Sequence, residues 1–333
     1  MSDPLLSVDE LRVRFRSLGA LRALVRGVRD PYIDAVCGVS FQLRAGETLG
    51  LVGESGSGKS TVARAIMGLT PSQAGSVRFD GRELRGLPTR ELRRLRADMA
   101  MMFQDPVGSL SPRLTVRALI TEPLRIHGRT EVNLDEEADR LLDMVGLTPE
   151  FGGRFPHQLS GGQARRVGVA RALALNPRLI IADEPTAGLD VSVQGEVLNL
   201  LAHLQRKLGL AILIITHNLN VVRHVTDRTA IMYLGRFVEQ GATETIFRAP
   251  HHPYTAALLS ANPEPDPDAA HARVELHGEV PSLMNRPPGC EFHPRCPYAR
   301  ELCAHTPPRV TEAGGEHRYT CHFPLNAHDM AAA

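Results

Sequence analysis

The chain has 333 residues, 43% hydrophobic and 23% charged, an ordinary composition for a folded chain of about two domains. Its 38 Lys and Arg against 37 Asp and Glu leave a formal charge of +1, which gives no global attraction to nucleic acid or acidic lipid, so partners must be recognised locally. Apolar runs such as Leu210–Ile215 fall far short of the ~20 residues a membrane helix needs, and the N-terminus is charged where a signal peptide would be apolar; a cytoplasmic chain is expected.

In chain order, Leu11-Arg12-Val13-Arg14-Phe15 alternates apolar and basic residues, the period of a half-exposed strand. Residues 16–34, with Arg22, Arg26 and Arg29 and the breakers Gly27 and Pro31, read as an inserted loop before a strand at Val39–Leu43. The apolar run Thr48–Val52 then leads into Gly53-Glu54-Ser55-Gly56-Ser57-Gly58-Lys59-Ser60-Thr61. This G-x-x-x-x-G-K-S pattern places glycines where the backbone must turn tightly and bring N–H groups onto phosphate oxygens. Lys59 would reach the outer phosphates and Ser60 would hold Mg²⁺. A helical pattern over Thr61–Leu69 adds its N-terminal dipole to the same anion site.

A strand at Ser76–Asp80, a basic helix over Thr89–Ala97 and a strand at Met99–Phe103 follow. Helical periodicity covers Thr115–Leu147 and Ser160–Leu175, predicting a helical subdomain over about residues 105–175. Leu179–Asp183 is a buried strand ending in acids; a helix over Val191–Leu208, a strand at Ala211–Thr216, a short helix after His217 and strands at Thr229–Leu234 and Arg236–Gln240 complete the pattern. Strands alternating with helices imply a parallel sheet covered on both faces. Residues 261–288, with the stiff polar stretch Pro263–Asp268, read as a linker to a separate tail, residues 289–333.

Of five cysteines, Cys37 stands alone and reads as a small buried hydrophobe. Cys290, Cys296, Cys303 and Cys321 lie in the tail, spaced C-x5-C-x6-C-x17-C. In a reducing compartment such a cluster points to a metal rather than disulfides, and four thiolates suit either Zn²⁺ or a [4Fe–4S] cluster.

Leu159-Ser160-Gly161-Gly162-Gln163, following the phosphate loop and preceding Asp183-Glu184, gives residues 1–260 a resemblance to the ABC-type ATPases. Ser160 would cap a helix, with Gly161 and Gly162 admitting an anion close to the backbone. The resemblance implies an α/β P-loop fold with a RecA-like core, an antiparallel β part and a helical subdomain. It also implies a head-to-tail dimer in which Ser160, Gly161, Gly162 and Gln163 of one chain cover ATP held by the other. Asp183 would hold Mg²⁺ with Ser60 and Gln104, Glu184 would be the general base, and His217 the switch histidine at the γ-phosphate. Asp190, in Ala187-Gly188-Leu189-Asp190, matches the dimer-contact loop, with Ala-Gly in place of the commoner Ser-Ala. Phe15, or alternatively Tyr32, would stack on adenine, with Val36 beside it.

The cysteine tail, the stretch Glu184–Val193 (EPTAGLDVSV) and His251-His252-Pro253-Tyr254-Thr255 further resemble the oligopeptide and dipeptide permease ATPases of the peptide/nickel importer group. That likeness favours [4Fe–4S] over Zn²⁺. Implied partners are two membrane permeases, contacted near Met101, Met102, Phe103, Pro106 and Leu110, a second ATPase that is a paralogue and, indirectly, an external substrate-binding protein. No nucleic acid is among them. The chain would lie peripherally on the cytoplasmic face of the inner membrane. Nickel or another small solute as cargo, and a non-transport ABC ATPase, are the alternative readings.

Overall fold

Three strands, β3 (Thr48–Val52), β7 (Leu179–Asp183) and β8 (Ala211–Thr216), are buried at every position. Each is dominated by aliphatic residues, as a strand covered on both faces requires. The computed structural model describes residues 3–17, 32–105, 108–129, 131–261, 276 and 278–326. Its contacts divide into two units. One is built mainly from Gly86–Ile215 with Leu43–Thr48; the other comprises Leu6–Gln42, Leu49–Arg85 and the residues from Thr216 onward.

In the first unit β8, β7 and β6 (Met99–Met102) lie side by side and parallel, with Met101 opposite Ile181 and Asp183 opposite Ile215. After α2 (Thr89–Leu95) and β6 come the helices α3 (Val116–Ile126), α4 (Leu134–Met144), α5 (Gly161–Leu173) and α6 (Val191–Leu208). Their ends are specified locally. Thr115, Asn133, Ser160 and Asp190 each accept a backbone N–H at the start of α3, α4, α5 and α6, and Gly209, at φ +65°, ends α6. Val197, Leu201 and Leu204 form the buried stripe of α6 at helical spacing.

In the second unit, β2 (Tyr32–Leu43), β1 (Leu6–Arg16), β4 (Ala74–Phe79) and β5 (Arg82–Glu83) form a sheet in that order. Leu6 faces Phe79 and Val8 faces Val77 across the antiparallel β1–β4 pair. The strand expected at Val39–Leu43 begins at Tyr32; the Arg14–Asp34 ion pair at 2.6 Å compensates the charge that disguised it. Here β3 pairs in parallel with β9 (Arg228–Tyr233), Leu51 opposite Ala230, and β10 (Arg236–Ala242) returns antiparallel beside β9. The unit's helices are α1 (Lys59–Ile66), α7 (Leu219–Val225), α8 (Thr243–Arg248), α9 (Pro253–Ser260) and α10 (Glu301–His305).

The tail adds strands of its own. β12 (Arg318–Tyr319) pairs with β10, Tyr319 opposite Glu239, and β11 (Thr311–Glu312) pairs with β12. Phe292 enters the same buried cluster as Val52, Ile231, Tyr233 and Tyr254. The expected stretch Pro263–Asp268 and most of the loop over 16–34 lie outside the described residues. Among the described residues no helix is long and apolar enough to cross a membrane.

Candidate nucleotide site

The phosphate loop joins β3 to α1. Gly58, at φ +105°, precedes the helix, and a Cβ there would stand 2.4 Å from the carbonyl of Ala35. A Cβ on Gly53 would stand 2.1 Å from the carbonyl of Met232. Both positions therefore exclude any side chain, because neither neighbour is the free end of a flexible group. The loop is tied below by Gly235 N–H donating to the Ser57 carbonyl at 2.8 Å and Cys37 N–H donating to the Gly235 carbonyl at 2.8 Å.

Lys59 is buried, and its ammonium donates to the carbonyls of Gly53 at 2.7 Å and Glu54 at 2.8 Å and to Ser57 Oγ at 3.3 Å. The loop wraps the ammonium with its own oxygens and leaves Ser55 and Gly56 on the surface. Ser60 and Thr61 open α1 half-buried. His217 in the same unit is exposed and immediately precedes Asn218, the cap of α7.

In the other unit, Asp183 and Glu184 are buried at the end of β7. Glu184 adopts φ +50°, and its N–H donates to the carbonyl of Ile215 at 2.8 Å. A left-handed non-glycine residue costs about 1–2 kcal/mol, so the surrounding contacts hold it there. One holder is Arg165, 1% exposed, which donates to the carbonyls of Ala187 at 2.7 Å and Glu184 at 3.4 Å. Burial pushes the Arg165 pKa below the usual arginine value, with Asp105 opposing. Nothing in the sequence pattern distinguished Arg165 from its neighbour Arg166.

Ser160 is exposed and caps α5 in a reciprocal box: Gln163 N–H donates to Ser160 Oγ at 3.3 Å, and Ser160 N–H to Gln163 Oε1 at 3.0 Å. Gly161 is exposed, whereas a Cβ on Gly162 would meet Val193 at 2.7 Å, so close helix packing requires that glycine. Asp190 caps α6; the Val193 N–H and the Ser192 hydroxyl hold its carboxyl below the usual range. Gln104 and Phe103 are exposed just beyond β6. Next to them Met99, Met101, Met102, Phe103, Leu110 and Leu175, together with Ser109, Arg165 and Arg171, line a cavity of about 220 Å³, while Pro106 lies outside the described residues.

Of the adenine candidates, Phe15 and Tyr32 are both exposed, and the Arg14 guanidinium lies 5.5 Å from the Tyr32 ring centre. Val36 is 0% exposed. It lies in β2 between Ala35 and Cys37, which are buried as well.

The four tail cysteines converge. Cys290, Cys296, Cys303 and Cys321 line one small cavity with Phe292, His293 and Phe323. Burial raises the thiol of Cys290, pushes that of Cys296 up to about 11 and that of Cys321 up to about 12. Cys37 is buried apart from them. Two further residues hold Glu54 of the loop. Tyr254 accepts the Glu54 N–H at 3.1 Å, and Arg295 pairs with the Glu54 carboxylate at 2.7 and 2.9 Å.

Comparison with known proteins matches residues 36–187 to the family model described as ABC transporter, and residues 238–303 to that described as oligopeptide/dipeptide transporter, C-terminal region. YkfD of Bacillus subtilis (strain 168) is 46% identical over 97% of each chain. The chain belongs to the ABC transporter family. Within it, the oligopeptide transport ATP-binding protein OppF of Salmonella typhimurium is 48% identical to this cassette over 87% of each chain. The dimeric ATP-binding cassette MJ0796, solved in a post-hydrolysis state with ADP and Pi, matches with a TM-score of 0.63 at 30% identity, covering 72% of this chain and 98% of that one. The fold of this ABC cassette is thus the mixed α/β one that its alternating pattern implied.

Proposed function

We propose that this chain is the ATP-hydrolysing subunit of a membrane importer for di- or oligopeptides, working with permease subunits and an external substrate-binding protein. The observation that carries the ATPase reading is the phosphate loop, where Gly53 and Gly58 exclude side chains and Lys59 is gathered by the loop's own oxygens. Backbone N–H groups, the start of α1 and the Lys59 ammonium then meet the triphosphate, and Glu184 orients and deprotonates the attacking water. His217 is proposed to hydrogen-bond the γ-phosphate.

Ser60, Gln104 and Asp183 carry the oxygen donors a hard cation takes, and each is proposed as a Mg²⁺ donor; the ion supplies charge neutralisation at the phosphate oxygens. Ser160, exposed at the start of α5, is proposed to cover ATP on a second, paralogous ATPase, with Asp190 at the same interface. A chain-to-chain sandwich makes use of a helix start whose Ser160 and Gly161 lie exposed. The cavity beside Phe103, whose lining is mainly apolar, is proposed to seat a cytoplasmic helix of a permease on the inner face of the membrane. Adenine stacking is assigned to Phe15, with Tyr32 as the alternative.

The proposed domain plan is an ATPase domain over residues 1–260, its helical subdomain within about 105–175, a linker over 261–288 and a cysteine-rich extension over 289–333. Four cysteines around one cavity fit a metal group, and we assign Cys290, Cys296, Cys303 and Cys321 as its ligands, a [4Fe–4S] cluster ahead of Zn²⁺. Its role is to pin a tail too short to form a core of its own.

The test is reconstitution of the chain with its permeases, second ATPase and binding protein in proteoliposomes. ATP-dependent uptake of a labelled peptide, lost with Glu184→Gln, is expected. Uptake of nickel without peptide, or no ATP hydrolysis, would overturn the reading.

A further inference from the structure

One ion pair runs from the cysteine tail to the phosphate loop. Arg295 lies in the short turn His293–Arg295, between Cys290 and Cys296. Backbone bonds fix that turn: His293 N–H donates to the Cys290 carbonyl at 2.9 Å, Arg295 N–H to Phe292 at 3.0 Å and Cys296 N–H to His293 at 3.3 Å. The Arg295 guanidinium, 7% exposed, meets both oxygens of Glu54 as a parallel fork, at 2.7 and 2.9 Å. Such forks fix orientation as well as charge.

Glu54 is the second residue of the phosphate loop, and three of its groups are engaged. Its carboxylate takes Arg295, and its N–H donates to Tyr254 Oη at 3.1 Å. Its carbonyl accepts Lys59 Nζ at 2.8 Å and Ser57 N–H at 3.2 Å. Tyr254 in turn packs on the tail's Phe292, ring centres 5.3 Å apart, and on Tyr233 at 4.7 Å. The side chain and N–H of Glu54 are thus held by groups anchored to the tail, while its carbonyl helps place the Lys59 ammonium. Rotation of the Glu54 peptide would carry that carbonyl, and with it the lysine, away from the phosphate position.

We propose that Arg295 is a positioning residue for nucleotide binding: from the cysteine-rich tail it holds the phosphate loop in its ATP-accepting shape, and the affinity for ATP follows the attachment of that tail. This rests on the assignment of Lys59 to ATP. The pair is more than a staple for the tail, because its loop-side partner is part of the cradle itself. A staple alone would lower stability and leave ATP affinity unchanged.

The test is equilibrium binding of a fluorescent ATP analogue to the full chain, with thermal melting recorded on the same samples. Arg295→Ala is expected to weaken binding about tenfold, the scale of one charge-assisted pair, with Arg295→Lys recovering part of it. Glu54→Gln is expected to weaken binding similarly, and the double variant no further than the weaker single. Cys296→Ser, which removes one of the proposed tail ligands, is expected to weaken binding in the wild-type background and to add nothing to Arg295→Ala. Wild-type affinity in a folded Arg295→Ala, or losses that multiply in the double variant, would overturn the coupling. If Arg295→Ala does not fold, Glu54→Gln, altered on a half-buried loop side chain, decides by the same criterion. Lys59→Ala separates the two levels. Loss of binding there with none in Glu54→Gln or Arg295→Ala sinks only the coupling, while wild-type binding in Lys59→Ala sinks the ATP assignment.

Discussion

The imidazole of His317 lies with its Nε2 2.8 Å from Glu239 Oε1, and both side chains are buried where the tail meets β10. The same oxygen accepts the His251 N–H at 2.7 Å, and Oε2 accepts the His252 N–H at 2.9 Å. Glu239 is therefore the hub that ties the start of α9 and the tail strand β12 to one core strand. Its hydrogen bonds overcome the burial penalty and hold its carboxyl below the usual range. Glu239→Ala leaves two backbone N–H groups without their acceptor and is expected to cost about 2–4 kcal/mol, read as a lowered melting temperature.

The sign of the pH effect follows from that lowered pKa. The unfolded chain takes up the proton near the ordinary value of 4.5, before the folded chain does. Stability from Glu239 is thus fully present above that pH and is lost as pH falls through the lower folded value. Glu239→Gln is expected to be less stable at neutral pH and to lack this acid-dependent component in melting curves taken between pH 5 and about pH 3.

Gly58→Ala is expected to disable the phosphate loop rather than trim it. The new Cβ would stand 2.4 Å from the Ala35 carbonyl at a backbone angle of +105°, and neither atom belongs to a movable side-chain end. ATP binding should fall at least about a hundredfold with a destabilisation of about 2 kcal/mol or more. Near-normal binding, measured by equilibrium dialysis, would show that the loop has another resting shape.

Glu184→Gln separates chemistry from binding. The amide keeps the size of the side chain and the backbone conformation at φ +50°, but cannot accept the water's proton. Phosphate release is expected to drop by about 10²- to 10⁴-fold while ATP affinity stays within a few-fold. A loss shared equally between affinity and turnover would instead place Glu184 in ground-state binding.

What the sequence made legible follows from how local each signal is. The phosphate loop, the strand ending in Asp183 and the helix over Val191–Leu208 are written in glycine spacing, aliphatic runs and caps, and the structure forms the last of these with those same bounds. At Gly162 the contact with Val193 adds a packing constraint that the Ser-Gly-Gly pattern does not reveal. The burial of Val36 carries no periodic mark, since Ala35, Val36 and Cys37 are buried in succession rather than in alternation. Arg165, Arg295 and Glu239 act through partners 19 or more residues away, in most cases far more, or through neighbouring backbone, so no period or motif marks these contacts. The two-residue strands of the tail are too short to show alternation; they exist because β10 offers an edge to pair with.

The cysteine cavity gives the last prediction, and its readout is colour as well as composition. Four thiols from three short segments, Cys290 and Cys296 around one turn, Cys303 in α10 and Cys321 beyond β12, meet with no strand or helix of more than five residues among them. So little regular structure supplies little cohesion of its own, and the proposed metal group would tie the segments together. Protein purified without oxygen is expected to contain about four iron and four sulfide per chain with broad visible absorption, and Cys303→Ser, whose thiol is buried, is expected to lose both and expose the tail to protease. Colourless protein with about one zinc per chain would assign the same four ligands to Zn²⁺ instead. Protein holding neither metal, with a protease-resistant tail, would mean that Phe292 packing and the Glu239 hub hold the tail by themselves.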